Sequence, residues 1–304
     1  MPKLTIEEIN EKVKNTPEEY IEECEKSYKD RLKAVRDKII DSSGRKLVML
    51  AGPSSSGKTT TAKLLRLLTE EKGRKAVIIS LDDFYLDQKE GPKFSDGTPD
   101  FETVHALNIP QIISCLAELL ETGETLLPQF DFTVRKPIQN ARKIVLGEND
   151  IAIVEGLHAL NPIITDPLEN EDIIKLYVSV STRIYDGEDI LFSKRDIRFI
   201  RRMIRDYQFR NSPVDFTFYL WNGVRTGEDR YLFPFENRAD IKIDSIHPYE
   251  LCVYKELALN LLSHIDEDSI YYKKAEGYKE KLEKLEFMAA DRLPQNSLLH
   301  EFLG

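Results

Sequence analysis

The 304-residue chain sets 43 Lys and Arg against 53 Asp and Glu, a formal net charge of −10, and is 41% hydrophobic. That length allows one large domain or two small ones, with apolar material for a substantial core. A net acidic chain in which no apolar run approaches 18 residues argues against a transmembrane helix, and against nucleic acid or an anionic membrane as partner.

The opening stretch, "MPKLTIEEINEKVKNTPEEY", is acidic and polar, unlike a secretory signal. Cys24, Cys115 and Cys252 are few, odd in number and far apart, which fits neither a disulfide framework nor a zinc site. A cytoplasmic protein with reduced thiols is the expectation. Residues 5–41 predict charged amphipathic helix, broken near Asn15-Thr16-Pro17, with Leu32, Val35, Ile39 and Ile40 as an apolar stripe. Such a helix either packs on the domain that follows or couples it to another domain or subunit, and the first reading is preferred.

Apolar, β-branched runs then alternate with helical segments: "KLVMLAG" (46–52), "KAVIISL" (75–81), "DIAIVEG" (150–156), "IIKLYVSV" (173–180) and "ADIKID" (239–244). Nearly continuous apolar strands separated by helices predict an α/β fold, a parallel sheet covered by helices on both faces. "RKIVLG" (142–147) predicts a short extra strand. Helices are expected over 248–265 and about 270–291, and "LPQNSLLHEFLG" reads as a packed tail. The resulting organisation is a helical extension (1–44), one α/β domain (45–246) and a second helical extension packed on it (247–304).

"GPSSSGKT" (52–59) satisfies G-x-x-x-x-G-K-[ST], follows the first apolar run and opens the helix "TTTAKLLRLLTEE". Strand, loop and helix in that order turn the pattern into a phosphate-binding P-loop. After Gly52, the backbone N–H groups of Ser54, Ser55, Ser56, Gly57, Lys58, Thr59 and Thr60 can ring the phosphates, helped by the helix dipole. Lys58 would reach the β- and γ-phosphates and the Thr59 hydroxyl would ligate Mg²⁺. ATP is the expected nucleotide, and GTP would fit the same cradle.

Acids close two of the strands. "IISLDDFY" (78–85) ends at Asp82 and Asp83, and "IAIVEG" (151–156) at Glu155. Beyond the carboxyl ends of a parallel sheet, such a carboxylate can hold Mg²⁺ through water or accept a proton from an attacking hydroxyl. An Asp there can also merely cap a turn. Further on, "DIRFIRRMIRD" (196–206) puts Arg198, Arg201, Arg202 and Arg205 within an arc of roughly 100° on a helix. Like charges so placed repel, and in an acidic protein they call for an anion.

"SLDDFY", "DFETVHALN", "LPQFDF", "VEGLHAL" and "DIRFIRRMIRD", in this order after the P-loop, resemble the uridine kinase branch of the uridine kinase and phosphoribulokinase family, over about residues 46–245. The resemblance implies a P-loop NTPase-type sheet and ATP- and Mg²⁺-dependent phosphorylation of a nucleoside 5′-hydroxyl, uridine- or cytidine-like, giving the monophosphate and ADP. By it, Asp82 activates the hydroxyl, Tyr85 belongs to the same loop and Glu155 lies near the metal. Glu102 stands where the family grips the ribose hydroxyls with an Asp. Phe130 stands where an aromatic stacks on the pyrimidine, and Phe132 lines that pocket. Arg135 stands where the family offers a His to the base edge, a departure that suits an acceptor-rich or anionic group.

The same resemblance makes 194–212 a lid, with Arg202 and Arg205 facing substrate and phosphates. Arg210 matches a further lid arginine, although "FRNSP" lacks the second one that usually follows. Lys58 and Arg205 join Asp82 as the expected catalytic groups. Arg198 and Arg201 are expected to pair with acids of the protein itself, and His158 to be structural. The segment 181–194 is about ten residues longer than the family's connection and has no assigned chemistry. Two other readings stay open: a kinase for another hydroxyl metabolite, such as a sugar phosphate or pantothenate-like acid gripped by Arg135, and a regulatory nucleotide-binding module. A homo-oligomer is compatible with either.

Overall fold

Thr16-Pro17 divides the N-terminal segment into two helices. A short strand β1 (Leu4–Thr5) leads into α1 (Ile6–Asn15), where the Thr5 hydroxyl accepts the Glu8 N–H at 3.3 Å. Pro17, which has no N–H to leave unpaired, opens α2 (Pro17–Ile40). Tyr20, Ile21, Tyr28, Leu32, Val35 and Ile39 of α2 are buried. The computed structural model describes residues 3–41, 43–93, 97, 99–168 and 172–304.

Each of the five apolar runs forms a strand. These are β2 (Lys46–Ala51), β3 (Ala76–Ser80), β6 (Ile151–Glu155), β7 (Ile173–Ser179) and β10 (Ile241–Asp244). They make one parallel sheet in the order β10-β7-β2-β6-β3. The chain leaves β2 for β3, returns to β6, and then crosses to β7 on the other side of β2. The strand order therefore reverses at β2, and a ligand crevice is expected beyond its carboxyl end.

Helices cover both faces. One face packs Val48, Leu50 and Ile153 against α2, α3 (Lys58–Glu70), α6 (Lys194–Arg210) and α8 (Glu250–Leu262). The other packs Leu47, Met49, Ala51 and Val154 against α4 (Ile109–Thr122) and the short α5 (Pro162–Thr165). Alternation along β2 thus feeds two cores, which is why its sequence reads as a continuous apolar run.

Two hairpins depart from the expectations. β4 (Glu124–Asp131) was not expected as a strand; it pairs antiparallel with β5 (Lys136–Val145), which is longer than the predicted 142–147 and starts earlier. The 181–194 segment folds into β8 (Ile184–Asp186) and β9 (Asp189–Phe192), and β8 pairs in parallel with β1. The added residues thereby tie the N-terminus to the α/β unit.

α6 starts with a reciprocal capping box, Ser193 with Asp196, and ends at Asn211 in the left-handed region. It is followed by α7 (Val214–Tyr231). At the C-terminus α9 (Tyr272–Glu283) is shorter than predicted, and a single 3₁₀ turn covers Ala290–Arg292. The tail ends in α10 (His300–Leu303), with Leu298, Leu299 and Phe302 fully buried. Among the described residues no helix is long and apolar enough to cross a membrane.

Candidate active site

The loop between β2 and α3 needs its glycines. A Cβ on Gly52 would lie 2.1 Å from the Val178 carbonyl, and Gly57 has φ +83° with Leu298 packed over it. α3 starts at Lys58 with no cap from its N-cap residue Gly57, so the N–H groups of its first turn are available to an anion from elsewhere. The Ser55 and Ser56 hydroxyls are buried without a partner among the described residues. Buried polar groups left this way point to a ligand that completes them. Lys58 Nζ meanwhile donates to the Pro53 carbonyl at 3.1 Å.

A polar cavity of about 300 Å³ opens beside this loop. Its walls bring together Ser54, Ser55, Ser56, Gly57, Lys58, Thr59, Asp82, Tyr85, Glu102, Glu155, Arg202, Arg205 and Arg210. Asp82 comes from the 3₁₀ turn Leu81–Phe84 at the end of β3, and Glu155 from the end of the adjacent β6. Ser80 links them: its hydroxyl donates to Glu155 Oε1 at 3.1 Å and accepts the Asp82 N–H at 3.3 Å. Asp82 is reached by solvent through the cleft, yet protein walls it closely. That crowding raises its carboxyl above the usual Asp range, with Lys58 acting in the opposite sense. Burial likewise raises Glu155. Glu102 is raised to about 7, first by burial, against the pull of Arg202.

The arginines of α6 divide by partner. Arg198 forms a buried double contact with Glu228, at 2.8 and 2.6 Å. Arg201 does the same with Glu250, at 2.6 and 2.8 Å, and also donates to the Ser245 and Ser55 carbonyls. Arg202 donates to Ser54 Oγ at 2.8 Å. Asp206 gathers Arg202, Arg205 and Arg210 at 3.2, 2.8 and 3.3 Å, which offsets their mutual repulsion at the cavity mouth.

Phe130, Phe132 and Arg135 do not line this cavity. Phe130 is buried behind Tyr85, with ring centroids 5.6 Å apart, and Phe132 packs on Phe130 at 5.0 Å while remaining 63% exposed. Arg135 sits at the exposed β4–β5 turn with φ +55°. The physical reason is the hairpin itself: alternation along β4 turns Phe130 inward, and the chain reverses before Arg135 can reach the cavity. His158 is buried beside Tyr231, and burial lowers it to about 4.

Three acids in this region were not assigned a place in the site from the sequence. Glu228 accepts the Ser54 N–H at 2.8 Å. Glu301, from the tail, accepts the Thr60 N–H at 3.1 Å. Asp206 is the counter-charge described above. Only the i,i+4 spacing of Asp206 from Arg202 and Arg210 was open to reading in advance.

A phosphate loop at the switch point of a parallel sheet, with strand-end carboxylates and a helix of arginines over it, defines the class: a P-loop kinase, an ATP-dependent phosphotransferase. The profile described as the phosphoribulokinase / uridine kinase family matches residues 47–251. The chain belongs to that family. It is 29% identical over 221 residues to a uridine kinase of Brevibacillus brevis, spanning 71% of this chain and 90% of the relative. It is 30% identical over 196 residues to a uridine kinase of Lactobacillus helveticus, spanning 64% and 84%. Among solved structures, a candidate fructose transport system kinase from Silicibacter shares the fold, with a TM-score of 0.50 and 21% identity over 69% of this chain and 98% of that one.

Proposed function

We propose that the chain transfers the γ-phosphoryl group of ATP to the 5′-hydroxyl of a uridine- or cytidine-like nucleoside. The observation that carries this reading is the shared cavity, in which Asp82 faces the same space as Lys58 and Thr59. The relatives named as uridine kinases support the acceptor class. Asp82 takes the proton of the attacking hydroxyl, and its raised carboxyl brings it nearer the basicity such a role needs. Lys58 leaves the Pro53 carbonyl for the β- and γ-phosphates, while Arg202 and Arg205 donate to the oxygens that carry charge in the loose transition state. Glu102 accepts from the ribose hydroxyls, and Tyr85 forms the wall beside them.

The donors present fit Mg²⁺, a hard cation that prefers oxygen. The Thr59 hydroxyl and Glu155 would hold it, and bound there it neutralises phosphate charge. The orphaned Ser55 and Ser56 hydroxyls and the uncapped start of α3 fit the phosphates themselves.

One observation favours a second acceptor class, a hydroxyl metabolite carrying an anion. Arg202, Arg205 and Arg210 line the cavity, whereas Phe130, Phe132 and Arg135 stand outside it. ADP release over a panel of nucleosides, sugar phosphates and hydroxy acids separates the two. Uridine or cytidine is expected to raise release at least about tenfold over the bare ATPase rate. Stimulation only by anionic acceptors would replace the nucleoside reading with the second.

A further inference from the structure

The phosphate cradle already holds an anion, and it belongs to the protein. Thr60 is in the first turn of α3, where backbone N–H groups bind the α- and β-phosphates of a nucleotide. Its N–H points instead at Glu301 Oε2, 3.1 Å away. Glu301 lies far along the chain, beyond the α/β unit, yet its side chain lines the same cavity as Lys58, Asp82 and Glu155.

Its position is built. Leu298, fully buried, covers Gly57 so closely that a Cβ there would come within 2.7 Å of it. Phe302, also fully buried, lies under the Arg201 guanidinium at 5.0 Å. Ser297 Oγ donates to Glu25 Oε1 at 2.5 Å, and Gln208 Nε2 donates to the Leu303 carbonyl at 3.3 Å. These contacts fix the backbone on both sides of Glu301. The Glu301 side chain itself is only half-buried, and the Thr60 N–H is the hydrogen bond that holds its Oε2.

We propose that Glu301 is a resident anion of the nucleotide cradle, and that it sets the affinity for nucleotide by competing with the α-phosphate for the Thr60 N–H. One N–H proton cannot serve both oxygens, and two negative groups cannot share the position without repulsion. Nucleotide therefore binds by displacing the carboxylate, which swings toward solvent while Leu298 and Phe302 hold the tail in place. In the empty state Glu301 satisfies a donor at the helix start and offsets the positive field of Lys58 and the α6 arginines.

The inference rests on the reading of 52–60 as a phosphate cradle, but not on the identity of the acceptor. Its test is equilibrium binding of ADP and of adenosine, by calorimetry, to the full chain and to Glu301→Ala and Glu301→Gln. Glu301→Ala is expected to tighten ADP binding about tenfold, with Glu301→Gln intermediate because it keeps an acceptor without the charge. Adenosine, which brings no phosphate to Thr60, gains less than about twofold. An unchanged or weakened ADP affinity in Glu301→Ala would overturn the proposal, as would an equal gain for adenosine. Failure of every form to bind ADP would overturn the cradle reading together with it, whereas failure to phosphorylate nucleosides would leave it standing.

Discussion

Glu102 lines the cavity together with Arg202 and Glu228, and burial raises its carboxyl from 4.5 to about 7. It therefore titrates where kinases work. The ionised form offers both oxygens as acceptors to two neighbouring hydroxyls, whereas the protonated form turns one of them into a donor. The kcat/KM for the acceptor should rise with pH through about 7. Glu102→Gln should lose that inflection while the KM for ATP stays within about twofold. A pH profile unaltered by the substitution would remove Glu102 from acceptor binding. The sign for stability is opposite to that of a salt-bridged acid. Between 4.5 and about 7 the folded form holds a proton the unfolded chain has released, so this group's contribution falls as pH rises. Glu102→Gln should accordingly be more stable than the parent at about pH 8, with the difference fading toward pH 4.5, as thermal melts across pH would report.

At the scale of the element, α6 is a positively charged helix made tolerable by acids from other elements. Arg201 and Glu250 are both fully buried and meet through two hydrogen bonds. Removing one partner leaves a buried charge uncompensated. Glu250→Ala should lower the unfolding free energy by about 3–5 kcal/mol in a urea titration, and Arg201→Met with Glu250→Leu should recover a large part of it. A cost below about 1 kcal/mol would mean that the pair does not carry the packing of α6 on α8. The arginine stripe was legible in the sequence because its period is helical. Its partners were not, because Glu228 and Glu250 reach it only through the packing of α7 and α8 against α6. The β4–β5 hairpin was legible only in its last residues, within the strand expected over 142–147. Most of β5 is exposed, so no burial pattern marks the rest.

Across the whole molecule the five parallel strands were the most readable feature, because covering a sheet on both faces forces continuous apolar runs. The P-loop was readable because its chemistry needs particular residues at fixed spacing. What placed Glu301 in the cradle was not: the C-terminal tail and α2 share one core with α3, α6 and α8, and tertiary packing alone brings that acid to Thr60. We propose that the two terminal extensions belong functionally to the kinase unit, the first through β1 and α2 and the second through this tail. Phosphoryl transfer in the cavity that Glu301 of this tail reaches is the central claim. It is tested most directly by phosphoryl transfer from γ-labelled ATP to the best acceptor, comparing the full chain with Asp82→Asn under saturating substrates. Loss of a general base predicts a kcat lower by about 10²–10⁴-fold with ADP affinity kept within about twofold. A kcat equal to that of the parent would contradict the account.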